Sequence, residues 1–209
     1  MDVRLIAAGE MEDVYRLTYR AYQRVGYCEE KQDARLIHYP HLDGIPETIV
    51  FGAWENGRLV GTNSLTVDGP AGLHVDEDFP REVSEVRQFC HNYGKNLGAS
   101  WRIVTEGGRL EVLLRLIHAT VMEGVRRRLH VTLYSFNPRH ENFYHRLVGL
   151  ETLARGQCTS LNNSPPSVLM MGRALPVAKA WKRVCDRSQL DATDLDSFIQ
   201  DQEAGKIRS

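Results

Sequence analysis

Residues 101–136 read WRIVTEGGRLEVLLRLIHATVMEGVRRRLHVTLYSF, and this stretch decides the class of the fold. An apolar run that contains two adjacent glycines predicts a strand over 101–112. Residues 113–129 carry an apolar stripe at helical spacing, which predicts a helix. Residues 130–136 alternate apolar and polar side chains and end at Asn-Pro, which predicts a second strand. A strand, a helix and a strand in this order indicate a mixed α/β protein.

The rest of the chain predicts a sheet that is mostly antiparallel and covered by helices. Residues 48–54 and 59–67 are rich in β-branched and apolar side chains, and the Asn56–Gly57 pair between them is a strong hairpin signal. Further strands are expected at 3–7, 150–159 and 167–175, and further helices at 9–25, 79–93, 143–147 and 176–186. The expected fold class is therefore α/β (α+β), with a twisted, mixed and mostly antiparallel sheet flanked by helices.

Composition indicates one globular domain. The chain has 209 residues, of which 42% are hydrophobic and 25% charged, and this is enough for a buried core. We expect residues 1–187 to form that domain and 188–209 to be a tail, either a peripheral helix or disordered. The formal net charge of -1 argues against nucleic-acid binding. With no transmembrane segment and no secretory signal in view, the sequence predicts a cytoplasmic protein.

The four cysteines, Cys28, Cys90, Cys158 and Cys185, are not spaced as metal ligands. No two of them lie at C-x-x-C spacing, so the sequence predicts neither a zinc site nor a redox pair. We therefore expect no metal, and we expect the thiols to behave as small apolar side chains.

The stretch 101–112 carries the first candidates for chemistry, Glu106 and Arg109. Side chains alternate along a strand, so these two would face opposite sides of a regular sheet. A β-bulge at Gly107–Gly108 would reset the alternation and bring both to one face. A carboxylate beside a guanidinium stays ionised, which suits it to accept a proton or to bind an ammonium group. The alternative is a surface ion pair on an edge strand.

Residues 134–150 hold the second set of candidates, because a strand that turns into a short helix often forms the rim of a cleft. Tyr144 offers a phenol for general acid catalysis, Asn137 an orienting amide, and His140 a base or a substrate contact. Each also has a structural alternative. Asn137 would cap a turn, Tyr144 would pack as a rim aromatic, and His140 would be a solvated imidazole.

Together these two segments resemble the N-acyltransferases of the Gcn5-related superfamily. The nearer likeness is to the branch of the N-acyl amino acid synthases and acyl-homoserine-lactone synthases. Their Glu-x-x-Arg-Leu/Phe-x-Val and Asn-Pro-Arg-His patterns correspond to residues 106–112 and 137–140 here. Similar stretches at 14–30, 59–80 and 164–175 extend the resemblance over most of the chain.

The resemblance implies a transferase. It would move a fatty acyl group from the phosphopantetheine thioester of an acyl carrier protein, or from acyl-CoA, to the amine of an amino acid or similar small molecule. No permanently bound cofactor is implied. The pantetheine arm would lie in a V-shaped gap between the strands predicted at 101–112 and 130–136. The residues assigned to bind the acyl group and the pantetheine are Val104, Thr105, Asn137 and His140.

The same resemblance implies catalytic roles for three residues. Glu106 would accept the proton of the attacking amine. Arg109 would orient Glu106 or an acceptor carboxylate, and Tyr144 would protonate the leaving thiolate. Backbone N–H groups near the predicted bulge would polarise the thioester carbonyl.

The choice of donor depends on a missing loop and a cluster of charge. Acetyl-CoA users of this superfamily hold the pyrophosphate in a glycine-rich loop before a helix. Here the predicted strand ends at Val112 and the predicted helix follows almost directly at 113–116, with no glycine loop between them. This absence favours a carrier protein as the donor. The basic run Arg126, Arg127 and Arg128 would suit an acidic carrier surface. Its alternative is a set of cations that complement a helix C-terminus.

Two departures from the resemblance leave other functions open. Many relatives carry arginines where this chain has Thr18 and Ser64, which indicates a different acceptor or a weakened enzyme. An acyl-homoserine-lactone synthase, which would need S-adenosylmethionine, is one alternative, and both departures count against it. A non-catalytic acyl-carrier-binding protein of the same fold is another. Acetyl transfer from CoA is a third, against which the missing glycine loop argues.

Overall fold

The structure, a computed structural model, describes residues 1–204. In these residues the strands are β1 (Asp2–Leu5), β2 (Thr48–Glu55), β3 (Arg58–Val67), β4 (Asn96–Thr105), β5 (Leu129–Phe136), β6 (Glu151–Gln157) and β7 (Pro166–Arg173). The helices are α1 (Met11–Arg24), α2 (Pro80–Asn92), α3 (Leu110–Arg126), α4 (Glu141–Val148), α5 (Ala174–Ser188) and α6 (Thr193–Glu203). None of these helices has the length and apolarity needed to cross a membrane.

The strands form one sheet in the order β1–β2–β3–β4–β5–β7–β6. Five of the neighbouring pairs are antiparallel, and β4 and β5 are parallel. Parallel strands need a long crossover connection, and α3 supplies it between β4 and β5. The predicted mixed, mostly antiparallel sheet flanked by helices is confirmed.

Helices cover both faces of this sheet. Neighbouring residues of a strand point to opposite faces. On β7, Leu169 packs into the cluster of α2, whereas Val168 and Met170 pack into the cluster of α4 and α5. By the same alternation on β3, Leu59 packs with α1 and Val60 with α3. Helices α1 and α2 therefore lie on one face, and α3, α4 and α5 on the other.

The strand β4 ends at Thr105, so the strand predicted over 101–112 is wrong in its second half. Gly107 and Gly108 have φ of +66° and +69°, values that favour glycine, and they form a turn rather than a bulge. The helix α3 begins at Leu110, three residues earlier than predicted. Val112 is fully buried on α3 and packs against β3, where a Cβ on Gly61 would lie 2.6 Å from its Cγ1.

A bulge does occur in β4, but it lies at Arg102. Thr62 of β3 pairs with Val104 and Ser64 pairs with Trp101, so β4 contains one more residue than β3 between these pairs. Arg102 has φ +55°. This left-handed conformation is uncommon for residues other than glycine and is tolerated where the surroundings fix it.

The segment after Ser188 continues as α6. Leu195 is fully buried and Phe198 is 8% exposed, and both join the core cluster that contains Trp181 of α5. The remaining residues of the predicted tail, 205–209, lie outside the described part of the chain. Between Thr193 and Glu203, the tail therefore contributes apolar surface to the core.

Leu195→Ala should lower the free energy of unfolding by about 2–5 kcal/mol, because it opens a cavity in a packed core. Urea denaturation followed by circular dichroism measures this loss. Gln200→Ala on the exposed side of the same helix is the matched control and should change stability by less than about 0.5 kcal/mol. Equal effects of the two substitutions would show that α6 does not depend on the buried leucine.

Candidate active site

The strands β4 and β5 separate halfway along their length. Their pairing starts at Asn96 with Leu129 and ends at Ser100 with Tyr134, although both strands run further. Beyond this point β4 stays paired with β3, and β5 stays paired with β7. The sheet therefore splits into two wings, and the facing backbone edges of 101–105 and 135–136 have no partner in the opposite strand.

A cleft of about 450 Å³ occupies the gap between the two wings. One part, which we call the apolar half, lies beside the first turns of α3 and α4 and is lined by Leu110, Leu113, Phe136, Phe143 and Tyr144. The other part, the polar half, lies on the face of α1 and α2 and is lined by Tyr27, His38, Tyr39, His74, Trp101 and Arg102. Since these helices cover opposite faces, the cleft passes through the sheet.

Tyr144 is the phenol of the apolar half, as the sequence analysis expects. Its ring stacks on Phe136 with a centroid distance of 4.0 Å and meets Phe143 edge to face at 5.1 Å. Burial raises the pKa of Tyr144, so the hydroxyl stays protonated at neutral pH. Leu110 and Phe143 remain 55% and 37% exposed, and they give this half an apolar mouth.

Two imidazoles of the polar half are held in the neutral form. The Nε2 atom of His38 lies 2.9 Å from the Ser160 hydroxyl, which also lies 3.1 Å from the hydroxyl of Tyr39. Burial, followed by the charge of Arg102, lowers the pKa of His38 to about 3. Burial is also the main reason why the pKa of His74 falls to about 3. Both rings are therefore uncharged at neutral pH.

Arg102 is the buried cation of the polar half. Its Nη2 atom donates to both carboxylate oxygens of Asp43, at 2.6 and 2.8 Å, and its side chain is 0% exposed. The guanidinium carbon lies 4.2 Å from the ring centroid of Trp101. This ion pair fastens the loop between α1 and β2 to the bulged part of β4.

The four residues predicted to bind the acyl group and pantetheine, Val104, Thr105, Asn137 and His140, all line the cleft. Asn137 also caps a turn, because its Oδ1 accepts from the Arg139 backbone N–H at 3.1 Å. Its Nδ2 donates to the Tyr27 hydroxyl at 2.7 Å and so connects β5 to the loop after α1. His140 accepts a hydrogen bond from Arg139, and burial is the first cause of its lowered pKa.

The predicted pairing of Glu106 with Arg109 is wrong. Glu106 forms an ion pair with Arg58, and the Nη1 atom of Arg109 donates to Glu55 at 2.6 Å. The cause is the turn at Gly107–Gly108, which replaces the expected bulge and sends the two side chains to different partners. Neither residue is among the described residues that line the cleft. The proton-acceptor role of Glu106 has therefore lost the contact on which it depended.

The turn before α3 bears on the choice of acyl donor. Gly107 and Gly108 stand between the end of β4 and the start of α3, so a glycine-containing turn does precede this helix. Gly108 and Leu110 line the cleft at its apolar half. A helix start with uncommitted N–H groups suits a phosphate of either CoA or phosphopantetheine. The prediction that no such turn exists is wrong, and it no longer argues against CoA.

The basic run Arg126–Arg128 lies at the other end of α3. Arg126 and Arg127 donate from Nε to the carboxylate of Glu123, both at 2.7 Å. Arg126 lies sixteen positions after Leu110, which corresponds to about 24 Å along a helix. The carrier-docking role of these arginines stays a prediction, and their position fits the alternative of cations at a helix C-terminus.

The two positions where relatives carry arginine are buried. Thr18 is 0% exposed and its hydroxyl donates to the Val14 carbonyl within α1 at 2.8 Å. Ser64 is also 0% exposed, on β3. Arginine at either position would have to be accommodated inside the present packing.

Most of the polar half, including His38, His74 and Arg102, was not predicted from the sequence. One signal was available, because Arg102 is the single charged residue in the run 97–105, LGASWRIVT. A charge inside an otherwise uncharged strand indicates a buried and paired side chain. No comparable local signal marks the two histidines.

Comparisons with known proteins agree with this geometry. A family model described as N-acyl amino acid synthase FeeM matches residues 13–173, which is more than half of the chain. The structure of FeeM, an N-acyl amino acid synthase from uncultured soil microbes, is 19% identical, with a TM-score of 0.72 over 88% of this chain and 98% of that one. No curated protein matches the sequence significantly.

Two further solved structures share the fold at lower similarity. TofI, in a ternary complex with an inhibitor and MTA, is 14% identical, with a TM-score of 0.58 over 93% of this chain and 100% of that one. An N-acetyltransferase from Staphylococcus aureus Mu50 is 13% identical, with a TM-score of 0.53 over 83% of this chain and 97% of that one. At these identities the likeness concerns the fold.

Asp43→Asn should lower the free energy of unfolding by about 3–5 kcal/mol, because it leaves the buried charge of Arg102 unpaired. Urea denaturation measures the loss. The double variant Asp43→Asn/Arg102→Gln removes both charges and should recover part of it. Asp2→Asn, in an exposed ion pair with Arg4, is the control and should leave stability unchanged. An Asp43→Asn variant as stable as this control would contradict the account.

Proposed function

Since the chain belongs to the family of the N-acyl amino acid synthase FeeM and is an N-acyltransferase, we propose that it transfers a fatty acyl group to the amine of an amino acid or similar small molecule. We propose an acyl carrier protein as the donor, with acyl-CoA as the alternative. The observation that carries the proposal is the cleft through the sheet. It joins an apolar half, suited to an acyl thioester, to a polar half, suited to a small charged acceptor.

In this proposal the thioester lies between the diverging ends of β4 and β5. The backbone N–H groups on the facing edges of 101–105 and 135–136 are available to the thioester carbonyl, because these edges have no strand partner. Such groups stabilise the negative charge that develops on the carbonyl oxygen during attack. The phosphate of the pantetheine arm would lie at the turn before α3, which borders the apolar half.

The acyl chain would follow a line of loose packing behind Tyr144. A cavity of about 20 Å³ borders the cleft through Ile103 and Tyr144, and one of about 40 Å³ follows it. Thr120, Val121, Tyr134 and Val177 line both of the smaller cavities. These cavities run between the sheet and the helices α3 and α5, where methylene groups of a chain would be removed from water.

The reaction joins the amine nitrogen to the thioester carbonyl carbon and breaks the carbon–sulfur bond. The amine must be neutral to attack, and as the amide forms it loses one proton, which replaces the proton that Tyr144 gives to the sulfur. The leaving thiolate takes up one proton. Burial disfavours the charged ammonium, and the nearby Arg102 disfavours it further, so the polar half itself promotes a neutral amine. Tyr144, which stays protonated, is the proposed proton donor to the thiolate.

Tyr144→Phe should lower kcat by about 10²- to 10⁴-fold, because it removes the proton donor and keeps the ring that stacks on Phe136. Steady-state assays that detect the released thiol measure this change. Tyr93→Phe is the matched control, since Tyr93 is 61% exposed at the C-terminal end of α2 and does not line the cleft, and it should not alter the rate. Full turnover by the Tyr144→Phe variant would remove the assignment.

Glu106→Gln completes this test. The Glu106 carboxylate is paired with Arg58 outside the cleft, so the variant should keep most of its turnover. A loss as large as that of Tyr144→Phe, with the fold intact by circular dichroism, would restore Glu106 as the proton acceptor.

The donor is tested with long-chain acyl carrier protein, long-chain acyl-CoA and acetyl-CoA, each with the twenty amino acids, followed by mass spectrometry of the products. We expect an N-acyl amino acid from the carrier-bound long chain. Arg139→Gln, at the rim of the cleft, should raise KM for the carrier-bound donor several-fold at low salt and leave KM for acyl-CoA unchanged.

Arg126→Gln, at the far end of α3, is the matched control for this measurement. A rise of KM with Arg126→Gln instead would support docking at Arg126–Arg128. Efficient transfer from acetyl-CoA alone would contradict the proposed fatty acyl donor, and an unchanged thioester with every acceptor would contradict the proposed function.

A further inference from the structure

Three side chains, His118 of α3 with Trp181 and Cys185 of α5, form a hydrogen-bonded group that we call the His118 cluster. The Trp181 Nε1 atom donates to the Nδ1 atom of His118 at 3.3 Å. The Cys185 Sγ atom lies 3.6 Å from the same nitrogen. Trp181 and Cys185 are fully buried, whereas His118 is half-buried. Two polar groups of α5 therefore converge on one atom of α3.

The two neighbours determine the protonation of the His118 ring. An indole N–H can only donate, so the Nδ1 atom of His118 must carry a lone pair. Burial, followed by the charge of Asp186, raises the pKa of the Cys185 thiol, so the sulfur keeps its proton and is a second donor. The ring is therefore neutral, with its proton on Nε2. A proton on Nδ1 would remove the acceptor of the buried indole N–H of Trp181, and an unsatisfied buried donor is costly.

The charged groups around His118 come from α3 and from the connection between α5 and α6. Burial is the first cause that lowers the pKa of His118; Asp191 opposes it, and Arg115 on the same helix lowers the pKa further. The Asp191 carboxylate also accepts from the Thr193 backbone N–H, at 3.0 Å, in the first turn of α6. With the Cys185 thiol of α5, Asp191 and Arg115 are the titratable and charged groups that act on His118 within residues 1–204.

The His118 cluster lies where the two C-terminal helices join the rest of the core. Leu195 and Phe198 of α6 pack in the same apolar cluster as Trp181. Val177 lies one turn before Trp181 on α5 and lines both small cavities behind Tyr144. The family match ends at residue 173, so α5 and α6 lie beyond the matched segment. The cluster therefore connects the matched part of the chain to the helices that follow it.

We infer that His118 is a proton-sensitive positioning residue, which holds α5 and α6 against α3 while its ring is neutral and releases them when Nδ1 takes up a proton. In the released form the ring is in water and takes up a proton at its ordinary pKa of about 6.5. In the packed form this pKa is lower, so acid favours release. Because α5 borders the proposed acyl path, release would also loosen a wall of that path. This last relation rests on the proposed function, whereas the proton-sensitive contact does not.

Hydrogen exchange of the backbone amides of α5 and α6 tests the inference on the full chain, without any acyl donor. His118→Gln offers an acceptor oxygen that takes up no proton, so this variant should keep both helices packed as the pH falls. Below about pH 6.5, local opening of the wild type should increase relative to His118→Gln by up to about tenfold per pH unit, the limit for one proton. Comparing the two proteins at equal pH removes the intrinsic pH dependence of exchange.

Two further variants complete the experiment. His118→Leu removes the acceptor, so its α5 and α6 should open faster than those of His118→Gln already at neutral pH. His91→Gln, at an exposed position of α2, is the matched control and should open as the wild type does. Nitrogen magnetic resonance of histidine-labelled protein, with His118→Gln to assign the signals, should show the proton of His118 on Nε2.

The inference is overturned by an equal response to acid in the wild type and His118→Gln, or by its loss in His91→Gln. Equal opening of His118→Leu and His118→Gln at neutral pH would also overturn it, as would a proton on the Nδ1 atom of His118. None of these measurements involves acyl transfer. The proposed function can therefore fail while the role of His118 stands, and the reverse.

Discussion

The rest of the structure depends on the parallel strands β4 and β5, which stay paired only as far as Ser100 and Tyr134. Each strand keeps its outer neighbour, so the sheet does not fray but divides into two stable wings. The bulge at Arg102 supplies the extra residue just where the wings part. Backbone groups that would otherwise be paired are left for a substrate, and helices from both faces supply the walls. The site is thus a consequence of the sheet.

Local sequence pattern was sufficient to predict the main helices and strands, but not the turns and bulges that interrupt them. The apolar stripe of α3 and the Asn56–Gly57 hairpin identify their elements unambiguously, because spacing alone determines them. The two glycines after Glu106 do not identify one element, since an apolar run with glycine is compatible with a bulged strand and with a turn. The first part of β4, Asn96–Ser100, was missed because it lacks β-branched residues, and its Gly98 is required by close contact with β3.

The residues of the site also fall into those that a local pattern predicts and those that it does not. Tyr144, Asn137 and His140 could be predicted because a strand that turns into a short helix places them at a rim. Arg102 is identified as a buried and paired cation only together with Asp43, which is 59 residues away in sequence. His38 meets Ser160 across 122 residues. Contacts of this kind depend on how the loops pack against the folded sheet, and a local sequence pattern does not predict them.

The passage through the sheet determines how the enzyme handles two substrates. Because one half borders α3 and α4 and the other borders α1, the proposed function has donor and acceptor approach from opposite sides and meet inside. The thiol of Cys158 lines the cleft, but burial raises its pKa, so it is a poor carrier of the acyl group. Under the proposed function, transfer is then direct, within a ternary complex. The amide product of that reaction would be left threaded across the sheet, and it would have to withdraw lengthwise, through one mouth, before the next turnover begins.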